Sequence, residues 1–416
     1  MALPALLLAA TVATWSVDAR TEGALVEDHR APVITITVEF PVGSWSSWAR
    51  KTHATDGFEF ADTDPGRTLK KRADGLAAEL SLDVGDRASS LTIRCLKDDL
   101  AAAVGLAKDV LTNAEYDVHA LKRAGRERSI LWRGNKTDVS FLMAQATARA
   151  LFAPADPRRL PYERFEKVAT DPKEIAAARD VLVRLPGRIV AFAGDLTLAE
   201  AKRAADGLLP AVGEAPPGVA PALSPISPPA SRASRKDVPI RNLTQVYLSY
   251  GRDSLPWNDP KRPGFLVADH VLAGHFYSRL YVALRHEGGD TYGAGTTERG
   301  DVVPGSYAAT TFTRADNAAA IEAKLAAAMT VFRERGITED ERTAAVAYLR
   351  GSRALSRQSA GQLLARYLSE RRLGLPAGFL DDQIEQAAKV PLSDINAFIR
   401  EFYDPAQFSM LRAVPQ

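Results

Sequence analysis

The stretch Leu284-Arg285-His286-Glu287-Gly288-Gly289-Asp290-Thr291-Tyr292-Gly293-Ala294 decides the fold. It follows an apolar, helix-like run from Phe265 to Leu284, interrupted only at Ala273-Gly274-His275. It precedes the alternating strand Ser306-Tyr307-Ala308-Ala309-Thr310-Thr311-Phe312. An arginine closing a helix, a glycine pair and a tyrosine entering a strand bring two hydrogen-bonding side chains to one sheet edge. Taken one at a time, Arg285 would complement a helix dipole, Tyr292 would pack and Glu287 would be a surface charge. Gly288-Gly289 and Gly293-Ala294-Gly295 read as turns, because no helix N-terminus follows to receive a phosphate.

Working outward, the chain reads as two copies of one plan. In the first half, Val33 to Phe40 is a strand ended by Pro41 and Gly43. Ser90 to Leu96 is a second strand, and a helix from Asp99 and a long helix from Asp117 to Trp132 follow. In the second half, Gln245 to Tyr250 and the strand through Phe312 lead into a helix from Asp316. A further helix opens on the capping box Thr338-Glu339-Asp340-Glu341. The helix pairs coincide at an offset of roughly 220 residues. Between the copies, residues 210–239 hold eight prolines among Ala, Ser and Gly, the composition of an extended connector. The predicted layout is a candidate export signal over 1–19, domains over 20–209 and 240–416, and the linker. Strands interspersed with helix pairs make each domain α+β, an antiparallel-rich sheet with helices on one face.

A chain of 416 residues with 46% hydrophobic and 25% charged residues has material for two ordinary cores. A net charge of +2 gives no electrostatic case for nucleic acid or an anionic membrane. The lone Cys95 excludes an internal disulfide and falls on the apolar face of its strand with Leu91 and Ile93, as a structural thiol would. Met1 to Ala13 is apolar and alanine-rich, like the hydrophobic part of an export signal cut near Ala13 or Ala19, although no lysine or arginine precedes it. That run is too short to span a bilayer. The expected location is periplasmic or secreted, with the cytoplasm as the alternative.

The Arg…Tyr spacing of Arg285 and Tyr292 resembles a signature in the C-terminal domain of M16 (pitrilysin/insulinase-like) metallopeptidases. The run Gly274-His275-Phe276-Tyr277-Ser278-Arg279-Leu280 is similar to that family's GGxxxSRL, with histidine at the second glycine position. Arg188-Ile189-Val190-Ala191-Phe192-Ala193-Gly194-Asp195-Leu196 resembles its vvGD strand and turn. The resemblance implies two homologous domains closing as a clamshell, with Arg285 and Tyr292 holding the substrate backbone.

Active members of the family carry H-x-x-E-H on a helix and a further glutamate downstream. Two histidines at i and i+4 grip zinc, and the glutamate between them takes a proton from the bound water. The corresponding stretch here is His53-Ala54-Thr55-Asp56-Gly57: one histidine remains, aspartate replaces the base, and glycine replaces the second ligand. Its surroundings, Trp45 to Trp48 and Asp62 to Gly66, read as loop. The distal ligand would fall near Ile130-Leu131-Trp132-Arg133, where no carboxylate stands, and Glu127 comes too early. Elsewhere His270 and His275 are five apart, about 140° round a helix, and should not converge. No G-x-S-x-G elbow is present, and Ser278 reads as a helix-packing residue.

The resemblance therefore implies a non-catalytic subunit with no cofactor of its own. Its expected partner is an H-x-x-E-H homologue that supplies zinc to a heterodimeric peptidase, and its substrate is an extended peptide. The alternative is an M16-fold binding or assembly protein without proteolysis.

Overall fold

The computed structural model describes residues 11–112, 115–135, 137–162, 171–219, 234–286, 291 and 293–416. The chain is α+β and divides into two compact units. Unit 1 comprises Met1–Ile130, Glu163–Ala222 and Leu355–Ala377; unit 2 comprises Leu131–Tyr162, Leu223–Ala354 and Gly378–Gln416. The units thus differ from the consecutive spans 20–209 and 240–416, because each takes in a helical segment from the other half of the sequence.

Unit 1 is built on six strands: β1 (Ala13–Asp18), β2 (Thr21–Glu27), β3 (Val33–Phe40), β4 (Glu79–Val84), β5 (Ser89–Leu96) and β6 (Arg188–Gly194). Their order is β1-β2-β6-β3-β5-β4, with β2 and β6 parallel and the other neighbours antiparallel. Unit 2 has β7 (Arg235–Ile240), β8 (Gln245–Asp253), β9 (Ala294–Arg299), β10 (Ser306–Arg314) and β11 (Ser409–Pro415), in the order β7-β11-β8-β10-β9. Here β7 and β11 form the parallel pair. Setting β1 aside, the two orders correspond strand for strand, down to the position of the parallel pair. The internal repeat is a repeat of topology.

Alternation explains β3 and β5: Ile34, Ile36, Val38 and Phe40 meet Leu91, Ile93 and Cys95 in one core. Helix Leu100–Thr112 covers that face through Leu106, Val110 and Leu111. Burial pushes the Cys95 thiol up to about 11, as suits a packing residue. Strand β6 does not alternate in burial, because all seven of its residues are buried. Val190 and Phe192 face the main core, while Ile189, Ala191 and Ala193 face a second cluster with Ala24 and Val26 of β2. Helix Ala360–Arg372 covers that second face through Ala360, Leu364, Tyr367 and Leu368. The small alanines on the strands let the helix backbone approach the sheet. Unit 2 has the reciprocal feature: helix Val139–Leu151 packs Met143 against Ile240, Leu411 and Ala413. The principal helix layer lies on one face of each sheet, as expected, and one helix from the other repeat covers part of the opposite face.

Three segments differ from the sequence-based expectation. Ala13–Asp18, assigned above to a candidate leader, is edge strand β1, with Ala13 opposite Leu25. Within the proline-rich connector, Arg235–Ile240 is strand β7, and residues 220–233 lie outside the described residues. Trp45 to Trp48 is not all loop, because Ser46 caps helix Ser47–Thr52 by accepting from the Ala49 amide. The turn after β6 demands its glycine: Gly194 has φ +125, and a Cβ there would lie 2.0 Å from the Val33 carbonyl oxygen. No helix among the described residues is long and apolar enough to cross a membrane.

Candidate functional site

Two topologically equivalent connections carry the residues singled out above, β3 to β4 in unit 1 and β8 to β9 in unit 2. In the first, helix Ser47–Thr52 ends at His53, which adopts φ 56 and ψ 24, and helix Ala54–Glu59 starts afresh. A left-handed residue there breaks the single helix that an i, i+4 ligand pair needs. His53 Nδ1 lies 3.0 Å from Asp56 Oδ2. Arg128, on helix Val118–Asn135, donates from Nη1 to Asp56 Oδ1 at 2.8 Å and from Nη2 to Glu59. Its guanidinium also lies 4.9 Å from the centre of the Phe60 ring. Burial opposes the charge on Arg128, but the carboxylates of Glu59 and Asp56 outweigh it and hold the guanidinium above its ordinary range.

Gly57 stands where a second zinc ligand would be required. A Cβ at this position would lie 2.4 Å from the Ile175 carbonyl oxygen, and Tyr116 Oη donates to the Gly57 carbonyl at 2.6 Å. Helix Pro172–Val183 therefore packs directly on the glycine backbone, and no side chain fits. These residues do not fit a catalytic zinc ion, which takes three protein ligands and an open position. Among the described residues, no group of three or more His, Cys, Asp or Glu is placed to hold a metal ion. Sequence reading located the stretch but missed Arg128. The available signal was a basic residue near the expected distal ligand.

In the second connection, helix Arg262–Ala273 is followed by the exposed segment Gly274–Tyr277, and Ser278 turns back inside. Helix Arg279–Tyr281 then continues as a π-helical turn, Val282–His286. Leu280 and Leu284 are fully buried and fix the turn to the core, while Arg279 forks onto Glu341 at 2.7 and 2.9 Å. Arg285 is half-buried; its Nη1 donates to Tyr281 Oη, and its guanidinium lies 5.1 Å from the centre of that ring. Phe276, 66% exposed, meets Tyr281 edge-on with ring centres 5.0 Å apart. Tyr292 lies outside the described residues, as do Glu287–Asp290. Thr291 is described: its Oγ1 donates to the Phe312 carbonyl at 2.5 Å, docking the chain on β10 just before β9 begins. Tyr281 is the residue that sequence reasoning missed, although its i, i+4 spacing to Arg285 was there to read.

The two histidines do converge, contrary to expectation. Ring centres of His270 and His275 are 5.0 Å apart, and His270 stacks on Tyr348 at 4.3 Å. The helical arithmetic fails because the helix stops at Ala273 and the chain has already turned at His275. Burial, followed by the neighbouring His275, brings His270 down to about 4, so the pair is uncharged on one side at neutral pH. Behind them lies a buried polar chain. Asp269 accepts from Tyr307 Oη at 2.8 Å, and Tyr307 Oη lies 3.4 Å from Tyr403 Oη. Burial raises the Asp269 carboxyl to about 6.

Residues 188–349 match the family described as the peptidase M16 inactive domain. That part of the chain carries an M16-type domain. The match begins at β6 and takes in the Arg285 connection together with β7 to β10. Among solved structures, the M16 fold recurs over the whole length of the chain. A peptidase M16 inactive domain from Pseudomonas fluorescens is 20% identical with a TM-score of 0.81, 98% of each chain being covered. A protease from Helicobacter pylori is 12% identical with a TM-score of 0.82, covering 97% of this chain and 99% of that one. The periplasmic protease PqqL from Escherichia coli is 12% identical with a TM-score of 0.76; 97% of this chain matches 46% of that one. No curated protein matches the chain by sequence.

Proposed function

We propose that this chain is the non-catalytic, substrate-holding half of a two-chain zinc peptidase acting on peptides. The observation that carries the reading is the contrast between the two equivalent connections, one clamped by an arginine from a later helix and the other carrying an arginine of its own. Arg128, from helix Val118–Asn135, is locked onto Asp56 and Glu59 where a metal site would be built, whereas Arg285 stays half-exposed in the connection that leads to the edge strand β9. An H-x-x-E-H homologue would supply zinc and its activated water. Arg285 would donate to a peptide carbonyl, and the Tyr292 phenol would steady the oxyanion. A peptide lying along the β9 edge would be held by main-chain hydrogen bonds. In PqqL the part similar to this chain makes up 46% of one protease, which supports pairing with a second chain of the same fold. The periplasmic location of that protease supports a periplasmic or secreted setting for this one.

The test is reconstitution. The chain alone should show no chelator-sensitive peptidase activity, and the pair with its zinc-bearing homologue should show it. In the pair, Arg285→Ala should lower kcat/KM by about a hundredfold while leaving the complex assembled. Turnover by the isolated chain would remove the subunit reading. A stable complex that never cleaves would favour a binding or assembly protein, for which the exposed Phe276, Tyr277 and Tyr348 offer a surface.

A further inference from the structure

Unit 1 contains a charged cavity whose lining includes none of the candidate site residues named in the two connections. It has a volume of about 160 Å³ and lies at the C-terminal end of helix Ala360–Arg372, lined by Glu39, Arg87, Gly187, Ile189, Arg371 and Arg372 among others. Three guanidiniums thus face one carboxylate. A wider recess of about 500 Å³ adjoins it and shares Gly187, Ile189 and Arg371.

The arginines are held in place from behind. Arg372 spends Nε and Nη2 on Glu39, at 3.4 and 2.5 Å. Arg371 spends Nε and Nη2 on Glu22, at 3.2 and 2.6 Å. Neither Nη1 group makes a hydrogen bond among the described residues, so each fork keeps donors to offer. Glu39 is 4% exposed and burial raises its carboxyl despite Arg372, while Glu39 and Glu22 together pair with two of the three guanidiniums. Arg87 comes from the tight β4–β5 turn, which is clamped from below. The Ser44 amide donates to the Gly85 carbonyl and the Trp45 amide to the Asp86 carbonyl, both at 2.9 Å. The Arg87 guanidinium also rests 5.3 Å from the centre of the Trp45 ring. Guanidiniums fixed before binding lose little entropy when an anion arrives.

We propose that the cavity bounded by Arg87, Arg371 and Arg372 binds a carboxylate of the peptide ligand. The proposal rests on the reading that this chain holds peptides, and it adds a preference for acidic ones. A planar carboxylate matches the paired N–H groups of a guanidinium, and the cavity volume admits one with a short aliphatic stem. The carboxylate can come from an acidic side chain or from the C-terminus of the peptide.

Both sources are tested by titrating the full chain with three ten-residue peptides, following binding by calorimetry and tryptophan emission, to which Trp45 should contribute. One peptide carries glutamates and an amidated end, the second replaces glutamate by glutamine, and the third is the glutamine peptide with a free carboxyl end. Tighter binding of the first by about tenfold over the second assigns the side chain. The same advantage for the third alone assigns the terminus. Arg87→Ala should erase the preference and Arg87→Lys should keep part of it, whereas Arg94→Ala, on the exposed side of β5, should change nothing. Melting curves confirm that each variant is folded. Equal binding of all three peptides, or a preference unaltered by both Arg87→Ala and Arg371→Ala, overturns the proposal. Its failure is separable from that of the subunit reading: acidic selectivity without cleavage by the reconstituted pair leaves the cavity assigned and removes the peptidase role.

Discussion

The β3–β4 connection, clamped by Arg128 from a later helix, and the β8–β9 connection, which carries Arg285, belong to one repeated plan, and they differ in what they leave for a ligand. In unit 1 the guanidinium stands between two carboxylates and above a phenyl ring, with 11% of its side chain exposed. In unit 2 the equivalent connection carries an arginine whose partner is neutral, the hydroxyl and ring of Tyr281. A largely buried guanidinium held by two carboxylates at once has little left to offer a peptide carbonyl. One held by a phenol keeps its charge available. One connection is thus tied into an ion-pair cluster, and the other leaves its arginine half-exposed on a phenol.

The sharpest way to break this comparison is Arg128→Ala. Removing a largely buried partner leaves Asp56 and Glu59 facing each other without a cation, and the expected loss of unfolding free energy is about 4 kcal/mol. Denaturant titration reads it directly. A loss below about 1 kcal/mol would mean the pairs are surface decoration. The buried carboxyl of unit 2 gives the converse case, because Asp269 is held by the Tyr307 phenol and the Thr296 hydroxyl, with no cation hydrogen-bonded to it among the described residues. Its pKa of about 6 in the folded chain lies above the ordinary 3.8. The folded state therefore binds the proton more tightly, and this stabilisation is complete below pH 4 and lost as pH rises through 6. The difference in stability between the natural chain and Asp269→Asn should move by about 3 kcal/mol between pH 4 and pH 7, in favour of the variant at the higher pH. A flat difference would place the carboxyl in contact with solvent.

Gly57→Ala tests the packing behind the Arg128 centre. A methyl 2.4 Å from a backbone oxygen cannot be relieved by a rotamer change, so helix Ala54–Glu59 must shift from helix Pro172–Val183. The expected cost is about 2 kcal/mol, read as a lower Tm. A tolerated alanine would show that the two helices are loosely seated, and that a ligand side chain could have been accommodated there after all.

Much of the architecture could be read from local pattern. β3 was legible to the residue and β5, β8 and β10 nearly so, because alternation under one buried face is a strong signal. β6 was read from a family turn rather than from alternation, since burial on both faces erases the period. The crossing of Ala360–Arg372 and Val139–Leu151 into the other unit was not legible. Their apolar stripes say that something is covered, and nothing local says which sheet. At the sites, His53, Asp56, Gly57 and Arg285 were singled out through a family resemblance, whereas Arg128 and the His270–His275 stack depend on where chains turn, which spacing across a broken helix cannot report.

The smallest expected effect is the most direct test of how Arg285 is presented. Tyr281 sits one helical turn before it and supplies both a hydroxyl and a ring face. Tyr281→Phe keeps the face and removes the oxygen, a change of about 1 kcal/mol in the orientation of the guanidinium. In the reconstituted pair that should appear as a fall of about fivefold in kcat/KM, with the melting temperature unmoved because both side chains are only half-buried. Tyr281→Leu removes ring and hydroxyl together and should approach the loss seen with Arg285→Ala. If the guanidinium serves the fold instead, the ranking inverts: Tyr281→Leu and Arg285→Ala lower the Tm together and leave kcat/KM of the surviving folded fraction intact.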